Sequence, residues 1–279
     1  MILVADSGST KTTWAAVGSD SKVVTEGLNP HFTTDEAFLA ACSVVRQQFS
    51  ILNSQFSIYF YGAGCGDPKQ RQRVEQLLSA GFCTGDMHVE TDMLGACRAV
   101  SGDRASLVGI LGTGSNACYY DGRQIVCQPT STGYIMGDNG SANHVGRILL
   151  NDYLTKRMPE ALRFIFHDTY PMTDAQLIDA VYHHPHPNRF LASLAPFVVR
   201  HGEEDYCAEV LQTALHDWYY GPLQTVMEQS GCSAVELNLV GGFATAIEST
   251  LRRYLATVGL TVGTVEADPM EGLLRYHSR

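Results

Sequence analysis

A polar turn near the start of the chain has the residue types of a phosphate-binding loop. Residues 1–5 form an apolar strand and residues 12–17 a second one. The turn between them is made of small and polar residues, Asp6-Ser7-Gly8-Ser9-Thr10-Lys11. Backbone N–H groups in such a tip can surround a phosphate, and Gly8 permits a close approach because it lacks a Cβ. Asp6, at the end of the strand, can hold an accompanying Mg²⁺ through water. An ordinary hairpin with a polar tip is the alternative at this point.

A second strand and turn of the same layout follow about a hundred residues later. Residues 106–111 read as a strand, and residues 117–120 and 124–127 as a hairpin. The turn after the first of these strands is Gly112-Thr113-Gly114-Ser115-Asn116. Two such units indicate a duplicated half with a phosphate loop in each copy.

Three further segments carry groups that suit a sugar substrate. Asp92 lies between a short strand, 88–90, and a helix predicted over 93–100. It is either the N-cap of that helix or a carboxylate that orients a substrate hydroxyl and takes its proton. Asp138, in the segment Gly137-Asp138-Asn139-Gly140-Ser141, suits a bidentate grip on vicinal ring hydroxyls. The loop 62–66 either supplies backbone amides to an N-acetyl group or a hydroxyl, or connects a strand to a helix.

The elements around these segments predict an α/β fold. Helices are expected over 36–49 and 67–80, with a strand over 57–61 between them. Helical patterns dominate from residue 141, over 160–166, 174–182, 190–199 and 203–229. A strand over 235–240, a turn over 241–244, a helix over 246–255, a strand over 260–263 and a helix from 269 end the chain. We expect two α/β lobes with a cleft between them, 1–105 and 106–279, the second with a helical insertion at about 141–230.

Composition and charge exclude several classes of protein. The net charge of −10 argues against a nucleic-acid partner, since Lys and Arg supply most of that affinity. We also expect no membrane partner and a cytoplasmic location, because there is no secretory leader and no apolar run near 18 residues. The eight cysteines form no C-x-x-C pair and are expected to be reduced core residues. His183-His184-Pro185-His186 lacks the spacing of a zinc pair. The aromatic stretch around Trp218 is core or the face of a homodimer.

Four segments, taken in order, resemble the sugar kinase/Hsp70/actin superfamily. They are Asp6 to Lys11, Thr91-Asp92, Gly112 to Asn116, and Leu239 to Ala244. The likeness is greater to the N-acetylglucosamine kinase branch, which also contains the BadF/BadG-type ATPases, and the 137–141 segment is similar to a signature of that branch. The resemblance implies two ribonuclease H-like (actin-like ATPase) lobes that bind ATP and Mg²⁺.

The resemblance also implies a role for individual residues. Asp92 is implied to be the catalytic base, and Asp6 to hold magnesium through water. The sugar is implied to contact Asn29, Asn116 and Asp138, and Gly64 is the candidate sugar contact in the loop 62–66. The adenosine is implied to lie against Gly241, Gly242 and Phe243. The ATP phosphates are implied to contact Ser7, Gly8, Ser9, Thr10, Lys11, Gly112, Thr113, Gly114 and Ser115.

Two residues depart from the family pattern, and the second bears on the identity of the sugar. Ser7 stands where a glycine is usual, and Asn139 stands where the family has a glutamate. The expected activity is ATP-dependent phosphorylation of N-acetylglucosamine, or a close relative, at O6. A kinase for another hexosamine, such as glucosamine or N-acetylmuramic acid, is the first alternative.

Two alternatives come from other functional classes. A BadF-type ATPase activator needs a [4Fe–4S] cluster between subunits, whereas Cys118 and Cys127 fall in predicted strands. A sugar-responsive repressor needs a DNA-binding helix-turn-helix before the first turn, and this is the least favoured reading.

Overall fold

The computed structural model describes residues 1–8, 10–49, 56–83, 86–232 and 236–279. Within these ranges the chain forms two compact units. The first unit comprises Met1–Arg104, Gly122–Gln124 and Asp268–Arg279, and the second comprises Ala105–Asp121 and Ile125–Ala267. None of the helices in the described ranges combines the length and apolarity needed to cross a membrane.

The first unit begins with a five-stranded sheet in the order β3-β2-β1-β4-β5. Strands β1, β2 and β3 are antiparallel neighbours, and β4 and β5 continue the sheet in parallel with β1. The strands are β1 (Ile2–Ser7), β2 (Lys11–Ala16), β3 (Lys22–Glu26), β4 (Ser57–Gly62) and β5 (Met87–Thr91). Ser7 pairs with Gly62, and Gly62 pairs with Thr91, so the carboxyl ends of β1, β4 and β5 lie in one row.

Two helices connect strands of this sheet and a third follows β5, and each begins at a side-chain cap. They are α1 (Asp35–Gln48), α2 (Pro68–Phe82) and α3 (Asp92–Ser101). Asp67 caps α2 by accepting from the amide of Lys69 at 2.9 Å, and Pro68 takes the first helical position, as predicted. The core of this unit lies around Trp14, Phe38 and Phe60, all of them buried.

The second unit repeats the strand plan of the first. Its sheet has the order β10-β9-β6-β7-β8, with β6, β7 and β8 antiparallel and β9 and β10 parallel to β6. The strands are β6 (Ser106–Leu111), β7 (Ser115–Tyr120), β8 (Ile125–Cys127), β9 (Leu237–Val240) and β10 (Val262–Glu266). The two sheets therefore share one topology, which confirms the predicted actin-like ATPase fold and the duplication suggested by the two turns.

Helices fill the chain between β8 and β9 and follow β9. The first group is α4 (Gly133–Met136), α5 (Ala142–Leu154), α6 (Glu160–Thr169), α7 (Asp174–Tyr182), α8 (Pro187–Ala192), α9 (Ala195–Arg200), α10 (Asp205–Trp218) and α11 (Gln224–Ser230). After β9 come α12 (Gly242–Ala246) and α13 (Glu248–Thr257). The core of this unit lies around Phe166, Phe197 and Trp218.

The last helix, α14 (Met270–His277), belongs to the first unit. The sequence predicted a second lobe over 106–279, which would include this helix. It packs closely on α3, because a Cβ at Gly272 would lie 2.4 Å from the carbonyl oxygen of Ala99. The chain thus returns to its first unit after it completes the second.

Three element predictions were wrong in detail. The predicted helix over 203–229 is α10, one π-helical turn (Tyr219–Leu223) and α11, because Pro222 lacks the N–H that a regular helix needs. The predicted helix over 190–199 is divided into α8 and α9. The predicted turn over 241–244 is mostly helix α12, since Gly241 alone makes the turn with φ 135°. Val235, at the start of the predicted strand over 235–240, lies outside the described residues.

Candidate functional site

Carboxylates gather at the carboxyl edge of the first sheet. Asp6 is the penultimate residue of β1, Asp92 follows β5, and Asp268 precedes α14. Burial raises the pKa of Asp6 from 3.8 to about 7, and the charges of Asp268 and then Asp92 add to the rise, while Lys11 opposes it. The sheet register explains the meeting of Asp6 and Asp92, because parallel strands bring their carboxyl ends together. Asp268 was not predicted, since only the return of α14 places it there.

Asp92 is not the N-cap of its helix. Thr91 caps α3, with its Oγ1 accepting from the amide of Leu94 at 3.2 Å. Asp92 takes the first helical position, where its Oδ1 accepts from the amide of Met93 at 2.9 Å. Burial raises the pKa of Asp92, and its hydrogen bonds with the Met93 amide and its own amide oppose the rise. Its carboxylate therefore lies partly desolvated at the edge of the sheet and is not the N-cap of α3.

The first hairpin, formed by β1 and β2, has an inward and an outward side. Ser7 is buried, and its Oγ lies 2.8 Å from Thr12 Oγ1 and accepts from the amide of Leu28 at 3.2 Å. The amide of Gly8 donates to the carbonyl of Lys11 at 3.0 Å. Thr10 is exposed, and Lys11 extends its ammonium to Asp268 at 3.2 Å. Ser9, also predicted to bind phosphate, lies outside the described residues.

Asn29 and Gly64, both predicted to bind the sugar, come together in the first unit. A Cβ at Gly64, which has φ 86°, would lie 2.6 Å from Asn29 Oδ1. Asn29 is buried, and its Oδ1 also accepts from the amide of His31 at 3.0 Å. The two residues therefore form one packed corner, in which the loop after β4 requires a glycine.

The second hairpin, formed by β6 and β7, rests on the start of α5. Its three-residue tip is Gly112-Thr113-Gly114, and the amide of Gly112 donates to the carbonyl of Gly114 at 2.9 Å. The amides of Ala142 and Asn143 donate to the carbonyls of Gly112 and Thr113. Within the described residues the amides of Thr113 and Gly114 form no hydrogen bond, so they remain available to an anion.

Asp138 is tied to the second hairpin. Its Oδ1 accepts from the amide of Ser115 at 3.2 Å, and its Oδ2 accepts from Asn143 Nδ2 at 2.9 Å. A Cβ at Gly114 would lie 2.9 Å from this carboxylate, so a glycine is needed there. Asp138 itself adopts φ 54°, a backbone conformation that Asp tolerates better than most residues. A carboxylate accepts about four hydrogen bonds, so two positions remain for a ligand.

Asn116 and Asn139 lie near the second hairpin and form different kinds of contact. Asn116 lies in β7, and its Oδ1 accepts from the neighbouring amide of Ala117 at 2.9 Å. Asn139 donates from Nδ2 to the carbonyl of Asp217 at 3.4 Å, and its own carbonyl accepts from Ser115 Oγ at 2.6 Å. Asn139 therefore links the second hairpin to the end of α10.

The predicted adenosine-binding segment lies beside the second hairpin. A Cβ at Gly241 would lie 2.2 Å from the carbonyl oxygen of Leu111 and 3.1 Å from the amide nitrogen of Gly112. Gly242 starts α12, and Phe243 is buried. A Cβ at Gly242 or at Gly112 would meet nothing within 4 Å. The close approach at Gly241 thus places Gly112 and Gly242 near each other, and each has open space around its Cα.

The histidines of residues 183–186 and the cysteines, which the sequence analysis did not assign to metal sites, have other surroundings. His183 Nδ1 and His184 Nε2 lie 2.9 Å and 3.0 Å from the two oxygens of Asp179. In the described part of the chain no group of three or more His, Cys, Asp or Glu side chains is arranged to hold a metal ion. Five cysteines are buried, as predicted for most of the eight: Cys42, Cys65, Cys97, Cys118 and Cys207.

The carboxyl edge of the first sheet fits a magnesium ion held through water. Asp6 offers carboxylate oxygens, the donors that Mg²⁺ prefers. The ion needs only one or two protein ligands, because it keeps several of its waters. The negative charges of Asp268 and Asp92 favour a cation there and already disfavour ionisation of Asp6. Asp6 is thus a suitable carboxylate for the ion.

Comparison with known proteins identifies the family. A putative N-acetylglucosamine kinase from Porphyromonas gingivalis is 37% identical, with 99% of this chain and 98% of that chain covered and a TM-score of 0.91. The chain belongs to the N-acetylglucosamine kinase-like family of sugar kinases. The resemblance noted in the sequence is thereby confirmed.

More distant structures share the fold of this sugar kinase family. A putative N-acetylglucosamine kinase from Chromobacterium violaceum is 18% identical, covering 99% of this chain and 98% of that chain, with a TM-score of 0.76. A ROK family glucokinase from Streptomyces griseus, in complex with glucose and AMPPNP, is 12% identical over the same shares, with a TM-score of 0.56. No family model and no curated protein matches the sequence.

Sequence reasoning missed several residues of this sugar kinase family member that contact the predicted site residues within each unit. Thr91 leaves Asp92 free of capping, Asn143 holds Asp138, and Asp268 adds its charge beside Asp6. The Thr91 cap carried a local signal, because a Thr before an Asp at a helix start is a normal capping pattern. Asp268 carried no local signal, because most of the chain separates it from Asp92.

Proposed function

We propose that this protein is an ATP-dependent kinase that phosphorylates an amino sugar, N-acetylglucosamine or a close relative, at O6. The observation that carries the proposal is the state of Asp92, which is half-buried with a raised pKa, is not the N-cap of α3 and lies near Asp6. Membership of a sugar kinase family supports the proposal independently.

Asp92 is the proposed catalytic base. A carboxylate whose pKa is raised by burial accepts a proton more readily than an exposed one, which suits it to receive the proton of a sugar hydroxyl. Its position at the start of α3 is fixed by the Met93 amide, so one oxygen stays oriented. The hydroxyl it orients then attacks the γ-phosphorus of ATP, the bond from that phosphorus to ADP breaks, and the proton stays on Asp92.

The nucleotide is proposed to bind through backbone groups and small residues. The amides of Thr113 and Gly114 would donate to phosphate oxygens, and the open space at Gly112 and Gly242 would admit phosphate and adenosine. Lys11 would add a positive charge at the first hairpin. Asp6 would hold Mg²⁺ through water, and the ion, when bound, neutralises charge on the transferring phosphoryl group.

The sugar is proposed to contact Asp138 and the Asn29–Gly64 corner. Asp138 has two acceptor positions left for vicinal hydroxyls, while the loop after β4 would offer amides to an N-acetyl group. Asn139, in place of the family glutamate, removes a carboxylate here, so another hexosamine remains the second candidate for the substrate.

The proposal is tested by ADP release from Mg-ATP with a panel of amino sugars, for the wild type and Asp92→Asn. We expect stimulation by N-acetylglucosamine and a fall in kcat of about 10²- to 10⁴-fold in the variant, the usual contribution of a general base. Asp67→Asn is the matched control, because Asp67 also lies at a helix start and Asn caps equally well.

Each other outcome has a definite meaning. Stimulation by a different amino sugar alone would change the assigned substrate and leave the proposed mechanism in place. If no sugar stimulates ADP release and Asp92→Asn hydrolyses ATP like the wild type, the kinase proposal fails.

A further inference from the structure

The loop that carries Asp138 is supported by a buried histidine. His144 lies in the first turn of α5 and is 5% exposed, and its Nδ1 accepts the N–H of Gly140 at 3.1 Å. Gly140 has φ 78°, and a Cβ there would lie 2.5 Å from the Cβ of Trp218. The Gly140 amide therefore faces the interior, where an unpaired N–H is costly and His144 is its acceptor.

The contacts of His144 fix its tautomer. Since Nδ1 accepts a hydrogen bond, the ring proton of the neutral form is on Nε2, which lies 3.7 Å from Asp217 Oδ2. Burial lowers the pKa of His144 to about 4, with Arg147 adding to the fall and Asp217 opposing it. The ring is thus neutral near pH 7, with an acceptor toward the loop and a donor toward α10.

The same two elements hold the neighbouring residue of the loop. Asn139 donates to the carbonyl of Asp217, and the amide of Ser141 donates to the carbonyl of Asp138 at 3.1 Å. Residues 138–141 are therefore held by side chains and backbone of α5 and α10. The contact at Gly140 is made by the side chain of His144.

We propose that His144 is a positioning residue for the sugar: by accepting from Gly140 it fixes the 137–141 loop so that Asp138 meets the ring hydroxyls. The inference rests on the proposed function. The second hairpin has supports of its own, because Ala142 and Asn143 donate to its carbonyls and Leu111 pairs with Ser115. Loss of the His144 acceptor should therefore affect the sugar more than ATP.

His144→Leu and His144→Asn test this directly. The side-chain oxygen of Asn lies close to the position of Nδ1 and can accept the same N–H, whereas Leu cannot. We expect His144→Leu to raise KM for the amino sugar about tenfold, equivalent to about 1.4 kcal/mol, with less than about a threefold change for ATP. His144→Asn should return both values close to those of the wild type.

A core variant separates positioning from general loss of stability. Leu149 is buried in the same helix, so Leu149→Ala should lower stability without raising KM for the sugar. Equal KM values in His144→Leu and His144→Asn would overturn the proposal, as would a parallel rise in KM for both substrates.

A spectroscopic measurement is independent of activity. In ¹⁵N-histidine NMR of the wild type we expect the Nε2-protonated tautomer for His144, and slow exchange of the Gly140 amide that His144→Leu accelerates and His144→Asn does not. An Nδ1-protonated ring would overturn the inference even if His144→Leu failed to fold. If the wild type phosphorylates no amino sugar, the proposed function fails, while this measurement still decides whether His144 holds the loop.

Discussion

At the scale of single residues, the site concentrates negative charge where the chain offers little compensation. Burial raises the pKa of Asp6 to about 7, the charges of Asp268 and Asp92 add to the rise, and Lys11 offsets only part of it. Native proteins tolerate such carboxylates mainly at functional positions, since each lowers the stability of the folded state. This arrangement favours binding of a cation.

The raised pKa of Asp6 predicts a pH dependence of stability. Between pH 3.8 and about 7 the folded chain binds more protons than the unfolded chain, so the free energy of unfolding falls as pH rises through that window. Asp6→Asn cannot ionise. We expect it to be more stable than the wild type by on the order of 2 kcal/mol at pH 8, and the difference to vanish near pH 4.

The measurement is urea unfolding of both proteins from pH 4 to 8 in the presence of EDTA. Asp20→Asn, which removes an exposed carboxylate in the loop before β3, serves as the control. A constant difference between Asp6→Asn and the wild type over this range would contradict the assigned environment of Asp6.

At the scale of elements, close backbone approach places the second hairpin against the β9–α12 turn. Gly241 adopts φ 135° and contacts the carbonyl of Leu111, a geometry that only glycine permits. Gly242, one residue later, lies at the start of α12 with open space around its Cα. Two adjacent glycines are thus present for different physical reasons.

These reasons predict opposite effects of alanine on stability. Gly241→Ala should lower the free energy of unfolding by about 3 kcal/mol, through backbone strain and the clash with Leu111. Gly242→Ala should leave it unchanged or raise it by up to about 1 kcal/mol, because Ala is the better helix former. Urea unfolding of the two variants side by side is the measurement, and equal losses would be inconsistent with the geometry of this turn.

At the scale of the whole chain, the last helix completes the first unit. Met270 and Leu273 of α14 are buried, and Tyr61 Oη contacts His277 Nε2 at 2.8 Å while it accepts from Arg98 Nη1 at 2.8 Å. Asp268, at the start of this segment, is paired with Lys11. The N-terminal sheet therefore depends on residues at the opposite end of the sequence.

A chain that ends after Ala267 should lose stability in the first unit alone. Burial of Met270 and Leu273 contributes about 1.5 to 3 kcal/mol each, and the hydrogen bonds of His277 are lost with them. Hydrogen exchange should show reduced protection in β1, β4 and β5 and retained protection in β6 and β9. Glu271→Gln, a change at an exposed position of α14, is the control. Unchanged protection in β1 would refute the role of this helix.

The sequence by itself determined the local elements and most of the loops that carry the site. Short apolar runs predicted the strands, helical spacing predicted α1 and α2, and glycine-containing turns marked both hairpins. These features are encoded within a few consecutive residues, so they can be read without the fold. The order of the four motifs along the chain then indicated the family, because the duplicated sheet produces that order.

Only the tertiary structure decided which of these groups lie close together. The meeting of Asp6 and Asp92 requires three parallel strands in one register, and that of Asp268 requires the return of α14. Whether Asp92 or Thr91 caps α3 depended on side-chain geometry that both residues could have satisfied. The hydrogen bond from Gly140 to His144 likewise forms where Trp218 packs against Gly140. Such contacts join distant parts of the chain, and no local pattern encodes them.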